Sequence, residues 1–172
     1  MNRILKSVFL LCSCVFSFAV CSAQTVNSEG KNEVQVGDTV PPFSVMNNQG
    51  ERCDAASFLG QPVVLVFFNT GCRDCRKELP ELQKLYEEMK SDVRFLCISR
   101  AEPDSAVSVF WQANALTMPY SAQPDKAVFH LFARRTIPRV YVVGRTGVIS
   151  EKFVERVPMR KLRRAVLRAC RE

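Results

Sequence analysis

The sequence of 172 residues lacks internal repeats and long low-complexity tracts. Hydrophobic residues make up 47% of it and charged residues 24%, which are ordinary values for a globular protein. These features exclude a collagen, a coiled coil and a wholly disordered chain. The length suits one domain built around a single core.

Histidine, a common metal ligand, is nearly absent, because His130 is the only one in the chain. A zinc site built on Cys72 and Cys75 would need two further ligands, and the other candidate residues are not paired at a finger-like spacing. Copper delivery would also need a well-placed histidine, usually with cysteines spaced C-x-x-x-C. We therefore expect no bound metal.

Acidic residues are fewer than basic ones, with 17 Asp and Glu against 24 Lys and Arg. Much of the excess lies in a C-terminal segment whose apolar residues recur at near-helical spacing, which predicts an amphipathic helix with a basic outer face. That face is either simply solvated or attracted to a membrane or an acidic partner. No basic stripe is interleaved with aromatic residues, so we expect no nucleic-acid partner.

The N-terminal segment contains no acidic residue before Glu29. Arg3 and Lys6 precede an almost wholly apolar run over residues 8–20, and small residues up to Ala23 follow it. This is the layout of a secretory signal peptide, and the run is short for a membrane-spanning helix. We expect an exported protein, which would be periplasmic in a bacterium.

Three segments follow from this interpretation. Residues 1–23 form the signal peptide, with a lipoprotein signal as the alternative because Cys14 and Cys21 each end a segment like a lipoprotein cleavage box. Residues 24–33 are polar and predict a flexible leader. Residues 34–172 form the folded domain.

Removal of the signal peptide would leave five cysteines out of eight. An odd number argues against a purely structural disulfide framework in an exported protein. At least one thiol is therefore free, paired between chains, or part of a reactive site. The remaining cysteines are Cys53, Cys72, Cys75, Cys97 and Cys170.

Strand and helix patterns alternate along the domain, and a β-hairpin followed by a helix ends it, which predicts an α/β fold with a mixed sheet and helices on both faces. A strong turn signal at 47–50 predicts an additional hairpin near the start of the domain. Asp54 and Asp104 are each expected to cap a following helix.

The most apolar stretch of the domain, residues 63–68, predicts a strand buried on both faces. Cys72 and Cys75 follow it at the start of a helical stripe, so Cys72 falls at a helix N-terminus. Unpaired N–H groups and the helix dipole stabilise a thiolate there, with Arg73 adding positive potential that Asp74 partly opposes. Cys75, one turn further, is expected to be buried and to attack a mixed disulfide formed at Cys72.

The segment from Val63 to Pro80 resembles the active site of thioredoxin-fold proteins. Its continuation Cys-Arg-Lys-Glu-Leu-Pro, residues 75–80, is most similar to the TlpA-like exported thiol–disulfide oxidoreductases of the redoxin family. A Val-Gly-Asp-x-x-Pro-x-Phe motif at 36–43 and Thr-Ile-Pro at 136–138 extend the resemblance over most of residues 34–155. The resemblance implies a three-layer thioredoxin-like fold with an N-terminal β-hairpin.

The same resemblance implies roles for individual residues. Pro138 is the cis-proline that shapes substrate docking, and Ile137 before it resembles the residue of reducing thioredoxins. Glu78 matches an acid that would carry the proton of the buried cysteine, although a solvated helix residue is an equal interpretation. Substrate contacts are also expected at Gly71, Arg73, Asp74 and Ile137. The family pattern has tryptophan in place of Gly71 and a different pair in place of Arg73 and Asp74, which leaves the direction of electron flow open.

The expected function is thiol–disulfide exchange with protein disulfides, with the chain acting as a reductant and needing no cofactor beyond a redox-active Cys72–Cys75 disulfide. Its partners would be disulfide-containing proteins and a membrane or exported thiol electron donor, with membrane contact through a lipid anchor or the basic C-terminal helix. A peroxiredoxin-like thiol peroxidase is one alternative, but Thr70 lies two residues before Cys72 rather than three. A non-catalytic binding module is another, which the presence of both cysteines disfavours.

Overall fold

The structure is a computed structural model that describes residues 33–172. The expected signal peptide and lipid-anchor sites lie outside the described residues, as does nearly all of the expected leader. Their boundaries therefore stay predictions.

Two β-sheets organise the domain. Strands β1 (Ser44–Met46) and β2 (Arg52–Asp54) pair antiparallel and form the N-terminal hairpin, which confirms the expected hairpin. A second sheet has five strands in the order β5-β4-β3-β6-β7. Its strands are β3 (Val63–Phe68), β4 (Arg94–Ser99), β5 (Tyr120–Ser121), β6 (Arg139–Val143) and β7 (Ile149–Val154).

Strand β3 is the centre of the larger sheet, and all six of its residues are buried. It runs parallel to β4 and antiparallel to β6, so the sheet is mixed as the sequence predicted. A continuous apolar run suits this position because both faces of the strand are covered.

Helices cover both faces of the sheet. The four α-helices are α1 (Arg73–Met89), α2 (Asp104–Ala113), α3 (Ala127–Phe132) and α4 (Met159–Ala169). Successive side chains of a strand point to opposite faces. The Phe67 ring lies 4.8 Å from that of Phe132 on α3, and the Phe68 ring lies 4.9 Å from that of Trp111 on α2. Helices α2 and α3 therefore lie on opposite faces, which gives the three-layer thioredoxin-like arrangement.

Helix α1 carries the segment that follows β3. Its residues Leu79, Leu82, Leu85 and Met89 are buried along one stripe. The helix continues past Pro80, as the apolar stripe predicted. Burial of this stripe fixes the first turn of α1 against the end of β3.

The two expected helix caps have different outcomes. Asp54 caps a short 3₁₀ helix, Ala55–Phe58, and accepts a hydrogen bond from the Ser57 N–H at 2.8 Å, which confirms that prediction. The expectation for Asp104 is wrong, because this residue is the first of α2 and Pro103 is the capping residue. An acid suits the first turn of a helix as well as the cap, so the sequence signal was off by one position.

No helix within residues 33–172 is long and apolar enough to span a membrane.

Replacement of Leu82 by alanine tests the role of the α1 stripe. Leu82 is fully buried, so its loss should reduce the free energy of unfolding by about 2–5 kcal/mol. Leu131→Ala on α3 is the matched control, because that side chain is 46% exposed and should cost less than about 1 kcal/mol. Urea unfolding followed by circular dichroism measures both. Equal losses would contradict the assignment of α1 to the core.

Candidate active site

The site begins where β3 turns into α1. Cys72 is the N-cap of α1, and its Sγ accepts a hydrogen bond from the Cys75 N–H at 3.4 Å. A sulfur in this position satisfies one of the free N–H groups of the first turn and lies at the positive end of the helix dipole.

Burial separates the two cysteines. Cys72 is half-buried, whereas Cys75 is completely buried. Burial raises the pKa of the Cys75 thiol strongly, and its hydrogen bond with Cys72 raises the pKa further, while the backbone of Asn69 and the charge of Arg100 act in the opposite direction. Cys75 is therefore protonated at neutral pH.

The loop before β6 lies against the first cysteine. The Cys72 thiol donates to the Ile137 carbonyl oxygen at 3.8 Å, and the Ile137–Pro138 peptide bond is cis. The structure thus brings together the cysteine pair and the Thr-Ile-Pro motif, which are more than 60 residues apart in the sequence. Substrate docking by Pro138 and Ile137 stays a prediction.

Glu102 holds the loop that precedes Cys72. Its side chain is 7% exposed and accepts a hydrogen bond from the Thr70 N–H at 2.9 Å and another from the Thr70 hydroxyl. Asn69 also contributes, because its Oδ1 accepts from the Gly71 N–H at 2.9 Å. The sequence analysis missed Glu102, since a lone acid in a loop carries no signal of burial.

Arg139 holds the other side of the site. This residue directly follows Pro138 and is 2% exposed. Its Nε donates to the Thr136 carbonyl at 2.9 Å, and its guanidinium pairs with Glu33 at 2.6 Å. The sequence analysis missed this residue too, although an arginine at the start of an apolar strand was an available signal.

Glu78 lies on α1, three residues after Cys75. Its Oε1 accepts a hydrogen bond from the Val157 N–H at 3.4 Å. Burial raises the pKa of the Glu78 carboxyl, and the Val157 N–H and the positive charge of Arg156 oppose that effect. The side chain is half-buried rather than fully solvated, and its role as a proton carrier stays a prediction.

The remaining expected substrate residues form the exposed edge of the site. Gly71, Arg73 and Asp74 are all exposed, and Arg73 Nε lies 3.6 Å from Asp74 Oδ1. A Cβ added at Gly71 would lie 3.1 Å from Asn69 Oδ1, so a larger residue there would crowd the loop. Their contact with substrate stays a prediction.

The other cysteines lie apart from this pair. Cys53 and Cys97 are buried, Cys170 is half-buried, and all three are free thiols. Within the described chain, no group of three or more His, Cys, Asp and Glu side chains could hold a metal ion. The expected absence of a cofactor stays a prediction.

Cys72 is half-buried at a strand-to-helix junction, its partner Cys75 is buried, and a loop with a cis X–Pro bond lies against its sulfur. These features place the chain among the thioredoxin-fold proteins that carry out thiol–disulfide exchange. The sequence model of the AhpC/TSA family matches residues 36–152. The chain belongs to this family, which confirms the redoxin resemblance.

Named relatives agree with this assignment. Thiol-disulfide oxidoreductase ResA of Bacillus thuringiensis (strain Al Hakam) is 25% identical over 125 residues, which are 72% of each chain. ResA of Bacillus subtilis (strain 168) is 23% identical over 143 residues, which are 83% of this chain and 78% of the relative.

Solved structures share the fold. A thio-disulfide isomerase from Thermus thermophilus has a TM-score of 0.66 at 26% identity, covering 79% of this chain and 97% of its own. StoA from Bacillus subtilis has a TM-score of 0.64 at 22% identity, covering 73% of this chain and 96% of its own.

Alkylation tests the difference between the two thiols. Iodoacetamide reacts with thiolates, so at neutral pH Cys72 should be labelled at least about a hundredfold faster than Cys75, whose pKa is raised by burial. Labelling of Cys75 should increase only in strongly alkaline solution. Peptide mass spectrometry of the reduced protein measures both rates, and labelling in urea is the control, because unfolding should make the rates alike. Equal labelling of the folded protein would contradict the assigned asymmetry.

Proposed function

We propose that this thiol–disulfide oxidoreductase reduces protein disulfides, with Cys72 as the nucleophile and Cys75 as the resolving thiol. The observation that carries the proposal is the hydrogen bond from the Cys75 N–H to Cys72 Sγ, because it places the half-buried sulfur at the N-terminus of α1, directly before its buried partner. The pKa of Cys75, raised by burial, keeps the second thiol protonated until it is needed.

The first step forms a mixed disulfide. The Cys72 thiolate attacks one sulfur of a substrate disulfide, the substrate S–S bond breaks, and a Cys72–substrate S–S bond forms. The second substrate sulfur leaves as a thiolate and takes a proton from solvent.

The second step releases the substrate. Cys75 loses its proton and attacks Cys72 Sγ, the Cys72–substrate S–S bond breaks, and a Cys72–Cys75 S–S bond forms. The substrate sulfur leaves as a thiolate and takes a proton from solvent, so the substrate departs reduced. Two electrons pass from the protein to the substrate. Glu78 is the proton acceptor that we propose for Cys75, since it lies one helical turn away and a carboxyl with a raised pKa suits proton transfer near neutral pH.

Substrate docking completes the proposed site. An extended substrate segment would lie along the loop at Ile137 and Pro138, where the Ile137 carbonyl is 3.8 Å from Cys72 Sγ. Gly71, Arg73 and Asp74 would contact the same segment from the other side, because they are exposed next to the cysteine.

We further propose that the reaction takes place outside the cytoplasm. The N-terminal sequence has the layout of an export signal, and the ResA relatives are named as thiol-disulfide oxidoreductases. A membrane or exported thiol donor would return the Cys72–Cys75 disulfide to its reduced form. Membrane contact would use a lipid anchor or the basic helix α4.

Replacement of Cys75 by serine tests the two roles. Without a resolving thiol, the mixed disulfide at Cys72 should accumulate, and reduction of insulin should fall at least about a hundredfold. Mass spectrometry of the variant after incubation with insulin detects the adduct. Cys72→Ser is the control and should form no adduct. Full insulin reduction by the Cys75→Ser variant, or peroxide consumption faster than disulfide reduction by the wild type, would contradict the proposal.

Replacement of Glu78 by glutamine tests the proton acceptor. The rate of mixed-disulfide resolution should rise with pH in the wild type as the Glu78 carboxyl, with its raised pKa, becomes a carboxylate that accepts the proton. In Glu78→Gln that rise should disappear, and resolution near neutral pH should be at least about tenfold slower. Single-turnover kinetics across pH measures both. Glu88→Gln is the matched control, as Glu88 is an exposed acid on the same helix whose charge is not among those that shift the pKa of Glu78. An unchanged pH profile in Glu78→Gln would make Glu78 a structural residue.

A further inference from the structure

Arginines are frequent on the segments that adjoin Cys72. We infer that the disulfide substrates of this protein carry acidic residues next to their reactive cysteine, an inference that rests on the proposed function. We call this set of arginines the basic rim. Its members are Arg73, Arg76, Arg100, Arg134, Arg135 and Arg156.

Four of these arginines lie on the two segments that adjoin Cys72. Arg73 and Arg76 lie in the first turn of α1, beside the cysteine pair. Arg134 and Arg135 lie in the loop that leads into Ile137, whose carbonyl is 3.8 Å from Cys72 Sγ.

Backbone contacts place the other two arginines of the basic rim. Asn69, three residues before Cys72, donates from its Nδ2 to the Arg100 carbonyl at 3.1 Å. Arg156 directly precedes Val157, whose N–H donates to Glu78 on α1 at 3.4 Å. The basic rim therefore includes residues from before and after the Ile137–Pro138 loop as well as from the helix that carries the cysteines.

Most of this charge is not neutralised by carboxylates of the described chain. Arg134 and Arg135 are exposed, and within residues 33–172 neither has a carboxylate partner within ion-pair distance. Arg76 lies over the Phe110 ring at 5.8 Å, and Arg100 lies over the Phe129 ring at 5.3 Å. Stacking on an aromatic ring holds a guanidinium in place without cancelling its charge.

Acidic residues near Cys72 are fewer than the arginines. Asp74 faces Arg73 at 3.6 Å in solvent, where an ion pair contributes little. Glu78 lies near Arg156, and Glu155 is exposed at the end of β7. Glu102 is buried under the loop and bound to Thr70, so it does not face a substrate. The segments next to the reactive sulfur therefore carry more exposed arginines than exposed carboxylates.

An excess of exposed positive charge at this place favours substrates with negative charge next to their reactive cysteine. A substrate has to bring its disulfide to Cys72, so the residues flanking its cysteine come next to the basic rim. Complementary charge speeds diffusional encounter about 10-fold or more at low ionic strength, and like charge slows it. A membrane surface offers anionic charge but no disulfide, so an acidic peptide segment is the occupant that fits a reactive site.

Peptides with one cysteine activated as a pyridyl disulfide test this inference, with the cysteine flanked by glutamate, glutamine or lysine. Cys72 attacks the peptide sulfur, the peptide–Cys72 disulfide forms, and neutral pyridinethione leaves and is read by its absorbance. At low salt the glutamate peptide should react with the wild type about tenfold faster than the lysine peptide. The ratio should approach one in high salt, where the Debye length is short.

Reversing the charge of two arginines of the basic rim tests whether these residues cause the preference for acidic peptides. In Arg134→Glu/Arg135→Glu the glutamate-to-lysine rate ratio should fall at least about threefold. Arg164→Glu/Arg171→Glu on and just after α4 is the control with the same change in net charge. The end of α4 lies towards the other end of the sheet, because Arg145 donates hydrogen bonds both to the Cys170 carbonyl and to the carbonyl of Gly60, which precedes β3. The control should keep the wild-type ratio.

A neutral probe, dithiodipyridine, distinguishes failure of the acidic-substrate inference from failure of the proposed function. If it reacts readily with Cys72 of the wild type but the peptide ratio is near one, the acidic-substrate inference is overturned and the proposed function stands. If the neutral probe does not react with Cys72, the proposed function itself fails. A control variant that lowers the ratio as much as the rim variant would show an effect of net charge and would also overturn the inference.

Discussion

The structure of the site depends on one hydrogen bond, from the Cys75 N–H to the sulfur of Cys72. It makes the sulfur the capping group of α1, in the place where an oxygen of Ser or Asp usually lies. The central position of β3 in the sheet fixes where α1 begins, because all six residues of the strand are buried.

Two buried charged side chains keep this cap in place. Glu102 binds the Thr70 N–H on the α1 side, and Arg139 binds the Thr136 carbonyl on the proline-loop side. Buried charges add little net stability compared with apolar residues of the same size, but they specify one arrangement of the groups that they bind. Here the groups that they bind are the Thr70 N–H and the Thr136 carbonyl, which lie on either side of Cys72 and Ile137.

Local sequence patterns predicted the parts of the site that depend on short-range order. Hydrophobic patterns predicted the buried strand at 63–68 and the helix that starts at the cysteines, and a turn signal at 47–50 predicted the hairpin. Tertiary contacts do not override these signals. Glu102 and Arg139 escaped prediction because their partners lie on other elements: Thr70 is 32 positions before Glu102, and Glu33 is 106 positions before Arg139. The Asp104 cap failed by one residue because caps and first turns favour the same acids.

The order of the reaction follows from burial rather than from the chemical identity of the two thiols. Cys72 and Cys75 are the same residue type three positions apart, yet one is half-buried at the helix end and the other is completely buried behind it. In the proposed reaction the first sulfur meets the substrate because it is the less buried of the two. Burial raises the pKa of the Cys75 thiol, so this thiol stays protonated and does not compete for the helix N-terminus. The arginines that we infer to select substrates lie outside the pair, in the first turn of α1 and in the loop before Ile137, so the inferred selection leaves the proposed order of the two thiols unchanged.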